Sequence, residues 1–95
     1  MNEMQFEWDA RKAAANERKH GVHFKEAETV FFDRLASMLF DEPNSTALED
    51  RFVLSGLSES GRILVIAFCE RGDRTRIISA RPATAGERRR YEANR

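Results

Sequence analysis

One cysteine in 95 residues excludes an internal disulfide and leaves no second thiol for a zinc site. That residue, Cys69, closes the apolar run Ile63 to Cys69 and reads as a small core side chain. With two histidines besides, no metal-ligand spacing can be assembled, so neither a metal nor another cofactor is expected. Five glycines and two prolines form no phosphate-cradling loop and no linker longer than a turn. No apolar stretch approaches the roughly 20 residues that span a bilayer. The opening MNEMQFEWDARK lacks the apolar segment of a secretory signal, so a cytoplasmic protein without membrane contact is expected. Repeats and low-complexity tracts are missing as well.

What remains is a chain with 41% hydrophobic residues, enough for a single domain over residues 1–95 with one modest core. The formal net charge of zero hides an asymmetry. Residues 1–50 carry 6 basic against 11 acidic side chains, a balance of −5, and residues 51–95 carry 10 arginines against 5 acids, a balance of +5. Arginine forks match phosphate and carboxylate oxygens in pairs. An RNA or an acidic protein surface answers such a pattern; so does simple pairing of the two halves on a solvated surface.

Periodicity divides the chain into short elements. Phe6 and Trp8 alternate with Glu7 in a strand over Met4 to Trp8, and Asp9 can cap a helix from Ala10 to His20 that Gly21 terminates. Phe24, Ala27, Val30 and Phe31 then mark one face of a second helix over Phe24 to Phe32. Strands follow over Ser37 to Asp41, Arg51 to Leu57, Arg62 to Glu70 and Thr75 to Arg81, separated by turn residues. The run Ile63 to Cys69 is apolar at both parities, as in a central strand covered on both faces. Thr84 and Glu87 have capping-box spacing and open a polar C-terminal helix at about residues 84–94. The expected fold is α+β: two N-terminal helices and a C-terminal helix on a mostly antiparallel sheet of four or five strands.

Few side chains suit catalysis. An imidazole ordinarily exchanges protons near neutral pH, and RNA cleavage needs a base for the 2′-hydroxyl and an acid for the departing 5′-oxygen. His20 fits that need, although a cation at a helix C-terminus is also favourable structurally; His23 reads equally as a surface histidine. Arg76 and Arg81 could hold a scissile phosphate and stabilise its transition state, or could pair with the acidic half. Strict alternation puts them on opposite faces, so they share a site only if the strand bulges or Arg81 lies beyond its end. The triplet Arg88-Arg89-Arg90 covers most of a helical turn and suits a solvated or partner-binding face. Tyr91 could lend a phenol to the site, or anchor its helix to the sheet.

Local strings extend this reading. Phe6-Glu7-Trp8-Asp9, Asn16, Lys19-His20-Gly21-Val22 with Phe24, Glu26-Ala27, Val30-Phe31-Phe32-Asp33, Gly61-Arg62 with Leu64-Val65, Arg76-Ile77-Ile78-Ser79-Ala80-Arg81, Glu87-Arg88 and Tyr91 together resemble the BrnT toxin family. The likeness spans nearly the whole chain and departs at Asp33-Arg34, where such proteins often show Asp-Pro. The resemblance implies a RelE-like ribonuclease fold that cleaves RNA without metal and slows translation. It implies catalytic His20, Lys19, Arg76 and Arg81, with Ser79, Arg71, Arg74 and Tyr91 binding RNA. It also implies a BrnA-like antitoxin partner with a ribbon-helix-helix region, forming a hetero-oligomer that touches operator DNA only through the antitoxin. The competing reading is a non-catalytic adaptor or co-repressor for an acidic partner protein.

Overall fold

A computed structural model describes residues 4–94. Strand β1 (Gln5–Glu7) leads into helix α1 (Ala10–His20) and helix α2 (Phe24–Val30). Strands β2 (Ser37–Phe40), β3 (Arg51–Leu57), β4 (Ile63–Arg71) and β5 (Arg74–Pro82) follow, and helix α3 (Ala85–Ala93) ends the described chain. The expected α+β class and element order are both found.

Local chemistry sets the helix ends. The Asp9 carboxylate accepts from the Arg11 and Lys12 amides at 2.8 and 3.0 Å, and Gly21 closes α1 in the left-handed region at φ 69°. Thr84 and Glu87 form the reciprocal capping box of α3. Helix α2 stops two residues before its expected end. Phe31, Phe32 and Asp33 instead donate to carbonyls three residues back, a tightened turn, and Asp33 then accepts from the Leu35 and Leu57 amides.

The five strands form one sheet in the order β1-β5-β4-β3-β2, antiparallel except for the parallel pairing of β1 with β5. Consecutive strands β1 and β2 thus occupy opposite edges. The chain between them, α1 and α2, crosses one face of the sheet, as a non-hairpin connection must. Leu54, Leu64, Ile66, Phe68, Ile77 and Ala80 meet Val22, Phe24, Ala27 and Val30 there in the main core. Across this face runs a row of ring contacts, Phe6–Phe31–Phe68–Phe52–Phe40, with centroids 5.0–5.7 Å apart. Gly56 lets the turn after α2 approach: an added Cβ would lie 2.9 Å from Ala36, Asp33 and Val30. No helix among the described residues is long and apolar enough to cross a membrane.

Candidate functional site

Cross-strand register decides which side chains share a face. Phe52, Phe68 and Ile77 are paired across β3, β4 and β5, as are Leu54, Ile66 and Ala80, and all six point to the α1–α2 core. On β5 the register slips between these pairs, because Ala67 faces Ser79 while Phe68 faces Ile77, leaving Ile78 as an extra, bulged residue. The bulge changes the parity of everything after it. Arg76, Ser79 and Arg81, aligned with Cys69, Ala67 and Val65, therefore lie on one face, the face opposite α1 and α2. Simple alternation would have divided the two arginines; the bulge unites them.

Arg74, two residues before Arg76, continues the file, and Arg71 is its cross-strand partner. Arg51, opposite Cys69, stands on the same face, a position to which the sequence reading gave no role. Arg76 and Arg81 are four ladder steps apart, roughly 13 Å between Cα atoms, with Ser79 between them.

Carboxylates steady most of these cations. Arg76 donates to Glu7 at 2.9 Å, and Arg81 grips both oxygens of Glu87 at 2.7 and 3.0 Å. Glu49 sits between Arg51 at 3.0 Å and Arg71 at 3.4 Å. The two guanidinium groups share a face, and each has a carboxylate neighbour: Arg76 pairs with Glu7 of the acidic half, Arg81 with Glu87 of its own half. The Arg81 guanidinium holds Glu87 down to about 2, helped by the Thr84 amide, and Glu87 raises Arg81 in return. Arg51 and Arg71 lower Glu49, while burial, with Glu49 nearby, raises the Cys69 thiol. The buried thiol fits the core role expected of it. Five arginines, at 51, 71, 74, 76 and 81, face three carboxylates, at 7, 49 and 87, so the file keeps a positive excess of two.

Lys19 and His20 reach the outer edge of β5 by another route. Strand β1 ends at Glu7, opposite Arg76, so the β5 edge beyond it needs another partner. Asn16, buried on α1, supplies one: its Nδ2 donates to the Ala80 and Val22 carbonyls at 2.8 and 3.1 Å, and its Oδ1 accepts from the Ala80 amide at 3.0 Å. This clamp pins the last turn of α1 beside the Ser79–Arg81 stretch. The Gly21 carbonyl is further held by Arg62 at 3.1 Å, and Arg62 is itself locked onto Glu26. His20 is half-buried and Lys19 exposed, and among the described residues neither side chain has a hydrogen bond or ion pair. Arg74 is likewise exposed with no carboxylate partner among the described residues. His23, on the surface as expected, pairs with Glu17.

Tyr91 stands apart from the file. It is buried under α3, and its hydroxyl donates to Asp33 Oδ2 at 2.6 Å, the geometry of a helix anchor. Asn16, Glu26 and Arg62 hold the site together, although the sequence reading gave them no part in it. The one sequence signal was Asn16, a lone amide carrying both a donor and an acceptor within an alanine-rich helix. No three His, Cys, Asp or Glu side chains converge into a metal cluster among the described residues.

The three-helix, five-stranded α+β fold is shared with a known ribonuclease toxin. The crystal structure of the Brucella abortus ribonuclease toxin BrnT superposes with a TM-score of 0.66 at 26% identity, covering 86% of this chain and 99% of that one. A family model described as "Ribonuclease toxin, BrnT, of type II toxin-antitoxin system" matches residues 8–87. The chain belongs to the BrnT family of type II toxin–antitoxin ribonuclease toxins. No curated protein matches it.

Proposed function

We propose that this chain is an endoribonuclease that cleaves RNA without a metal ion, thereby inhibits translation in the cytoplasm, and is silenced by a ribbon-helix-helix antitoxin of BrnA type. The observation that carries the reading is the β5 bulge at Ile78, which aligns Arg76, Ser79 and Arg81 on one face; the Asn16 clamp holds α1, the helix bearing Lys19 and His20, to the Ala80 backbone of the same strand. The RNA backbone lies along the file, with Arg71, Arg74 and Ser79 binding phosphates and hydroxyls. Its 2′-oxygen attacks the neighbouring phosphorus, the bond to the 5′-oxygen breaks, and a 2′,3′-cyclic phosphate and a free 5′-hydroxyl result. His20 takes the proton from the 2′-hydroxyl or delivers one to the 5′-oxygen, and water carries the other proton. Arg76, Arg81 and Lys19 stabilise the charge gathering on the phosphoryl oxygens. Glu7 and Glu87 keep the two guanidinium groups extended before substrate arrives. Tyr91, buried with its hydroxyl on Asp33, serves RNA binding indirectly, by anchoring α3 to the sheet. The antitoxin forms a hetero-oligomer with the toxin, and operator DNA is contacted through the antitoxin alone.

The test is expression of the chain with and without the product of the adjacent reading frame, with sequencing of RNA ends. Growth arrest, cleavage insensitive to EDTA and relief by the neighbour are expected. His20→Ala should reduce cleavage about 10²- to 10⁴-fold, the usual worth of a proton-transfer group. Undiminished cleavage in that variant rejects its role, and harmless expression with intact RNA favours an adaptor protein instead.

A further inference from the structure

Strand β2 forms one edge of the sheet and pairs only with β3. Met38, Leu39 and Phe40 along it are 58%, 67% and 53% exposed. Edge strands are ordinarily blunted by lysine, proline or a bulge, and Ser-Met-Leu-Phe has none of these. The ladder also shows which backbone groups are open. Asp41 donates to the Arg51 carbonyl at 2.8 Å, which makes that pair hydrogen-bonded. By antiparallel alternation Leu39–Val53 and Ser37–Ser55 are bonded too, so the N–H and C=O groups of Met38 and Phe40 point away from the sheet.

Beside this edge lies a groove of about 260 Å³ between β2 and α3, lined in part by Leu35, Leu39, Val53, Arg90 and Tyr91. Its charge is one-sided. Glu87, also at the groove, is occupied by Arg81 and by the Thr84 amide, whereas Arg90 has no acidic partner among the described residues. Arg34, next to Leu35, has none among them either. A second copy pairing through this edge would set two arginine-bearing rims against each other. A four-residue strand would also bury less than the roughly 1,200 Å² of a stable interface. An extended segment with alternating apolar side chains and a carboxylate satisfies the open amides, the groove and the cations together.

We infer that β2 and the β2–α3 groove are the docking surface for an extended, apolar and acidic segment of the antitoxin, which adds a strand beside Met38 and Phe40. This rests on the toxin–antitoxin reading above and assigns that partner a surface at the β2 edge, on the same sheet face as the arginine file and meeting it at Glu87.

The experiment measures, by calorimetry, binding of the adjacent reading frame's product to the wild-type chain and to Met38→Pro, Met38→Ala, Leu39→Asp and Arg90→Glu. RNA cleavage and the melting temperature of each variant alone are recorded in parallel. Met38→Pro deletes an outward amide together with the methionine side chain, and Leu39→Asp puts a charge into the groove; each should weaken binding roughly 10- to 100-fold, with folding and cleavage unchanged. Met38→Ala keeps the amide and should cost less than Met38→Pro. Hydrogen exchange at the Phe40 amide should slow in the wild-type complex, which keeps the proposal testable if a variant fails to fold. Wild-type affinity in both Met38→Pro and Leu39→Asp, an unprotected Phe40 amide, or no binding by the wild type overturns it. So does dimerisation of the isolated chain through this edge. Weakened binding without any cleavage by the wild type would sink the nuclease reading and leave the surface standing.

Discussion

Glu26 offers a direct measure of how firmly the α1–α2 corner is held. Its carboxylate accepts from Arg62 Nε at 3.1 Å, from Arg62 Nη2 at 2.5 Å, from Ser58 Oγ at 2.8 Å and from the Ser60 hydroxyl. Arg62 lowers it most, and with the two serines brings it from 4.5 to about 2. At about 1.4 kcal/mol per pH unit, that displacement sets a ceiling of roughly 3 kcal/mol on the charge's contribution to stability. The carboxylate is 16% exposed but Arg62 is 41% exposed, so solvent screening reduces the figure to about 1.5–2 kcal/mol. Glu26→Gln, which keeps the shape and removes the charge, should therefore lower the melting temperature at pH 7 by about 10 °C. The pH dependence carries the sign. Because folding depresses this pKa, the contribution is complete above pH 4.5 and disappears as pH falls towards 2. Thermal melts of both proteins followed by circular dichroism should thus diverge at pH 7 and converge near pH 2–3. A gap constant across that window, or below about 2 °C at pH 7, refutes the ion-pair argument.

Asn16→Ala strips the Ala80 amide and carbonyl of their partner, which should cost about 2–4 kcal/mol in urea unfolding and depress RNA cleavage by releasing the turn that bears His20. Gly56→Ala places a methyl group 2.9 Å from Ala36, Asp33 and Val30, so a loss of about 1–3 kcal/mol in the same assay is expected; unchanged stability would contradict the packing. Arg74→Ala should weaken RNA binding alike for all sequences and reduce the slope of log K against log salt by about one, in titrations at several salt concentrations. Arg76→Lys, which cannot form a planar fork, should restore only part of the cleavage lost in Arg76→Ala when initial rates are compared.

Local signals named the elements, and long-range pairing built the site from them. Asp9 and Gly21 bound α1 at Ala10 and His20 because a cap and a left-handed turn are properties of a few neighbouring residues. For the same reason Thr84 and Glu87 announced α3, and the double parity of Ile63 to Cys69 announced a central strand. The parallel place of β1, the extra residue at Ile78 and the Asn16 clamp join positions up to 69 residues apart, and no local pattern encodes register. His20, Arg76 and Arg81 were legible as chemical types from the sequence alone. That Arg76 and Arg81 share a face follows from a bulge, and that each meets a carboxylate follows from the partners the sheet and α3 bring to it. The amino-acid order thus determined which groups this protein can bring to chemistry, while tertiary structure alone decided which of them stand together, because a single slipped residue in a ladder reverses every side chain beyond it.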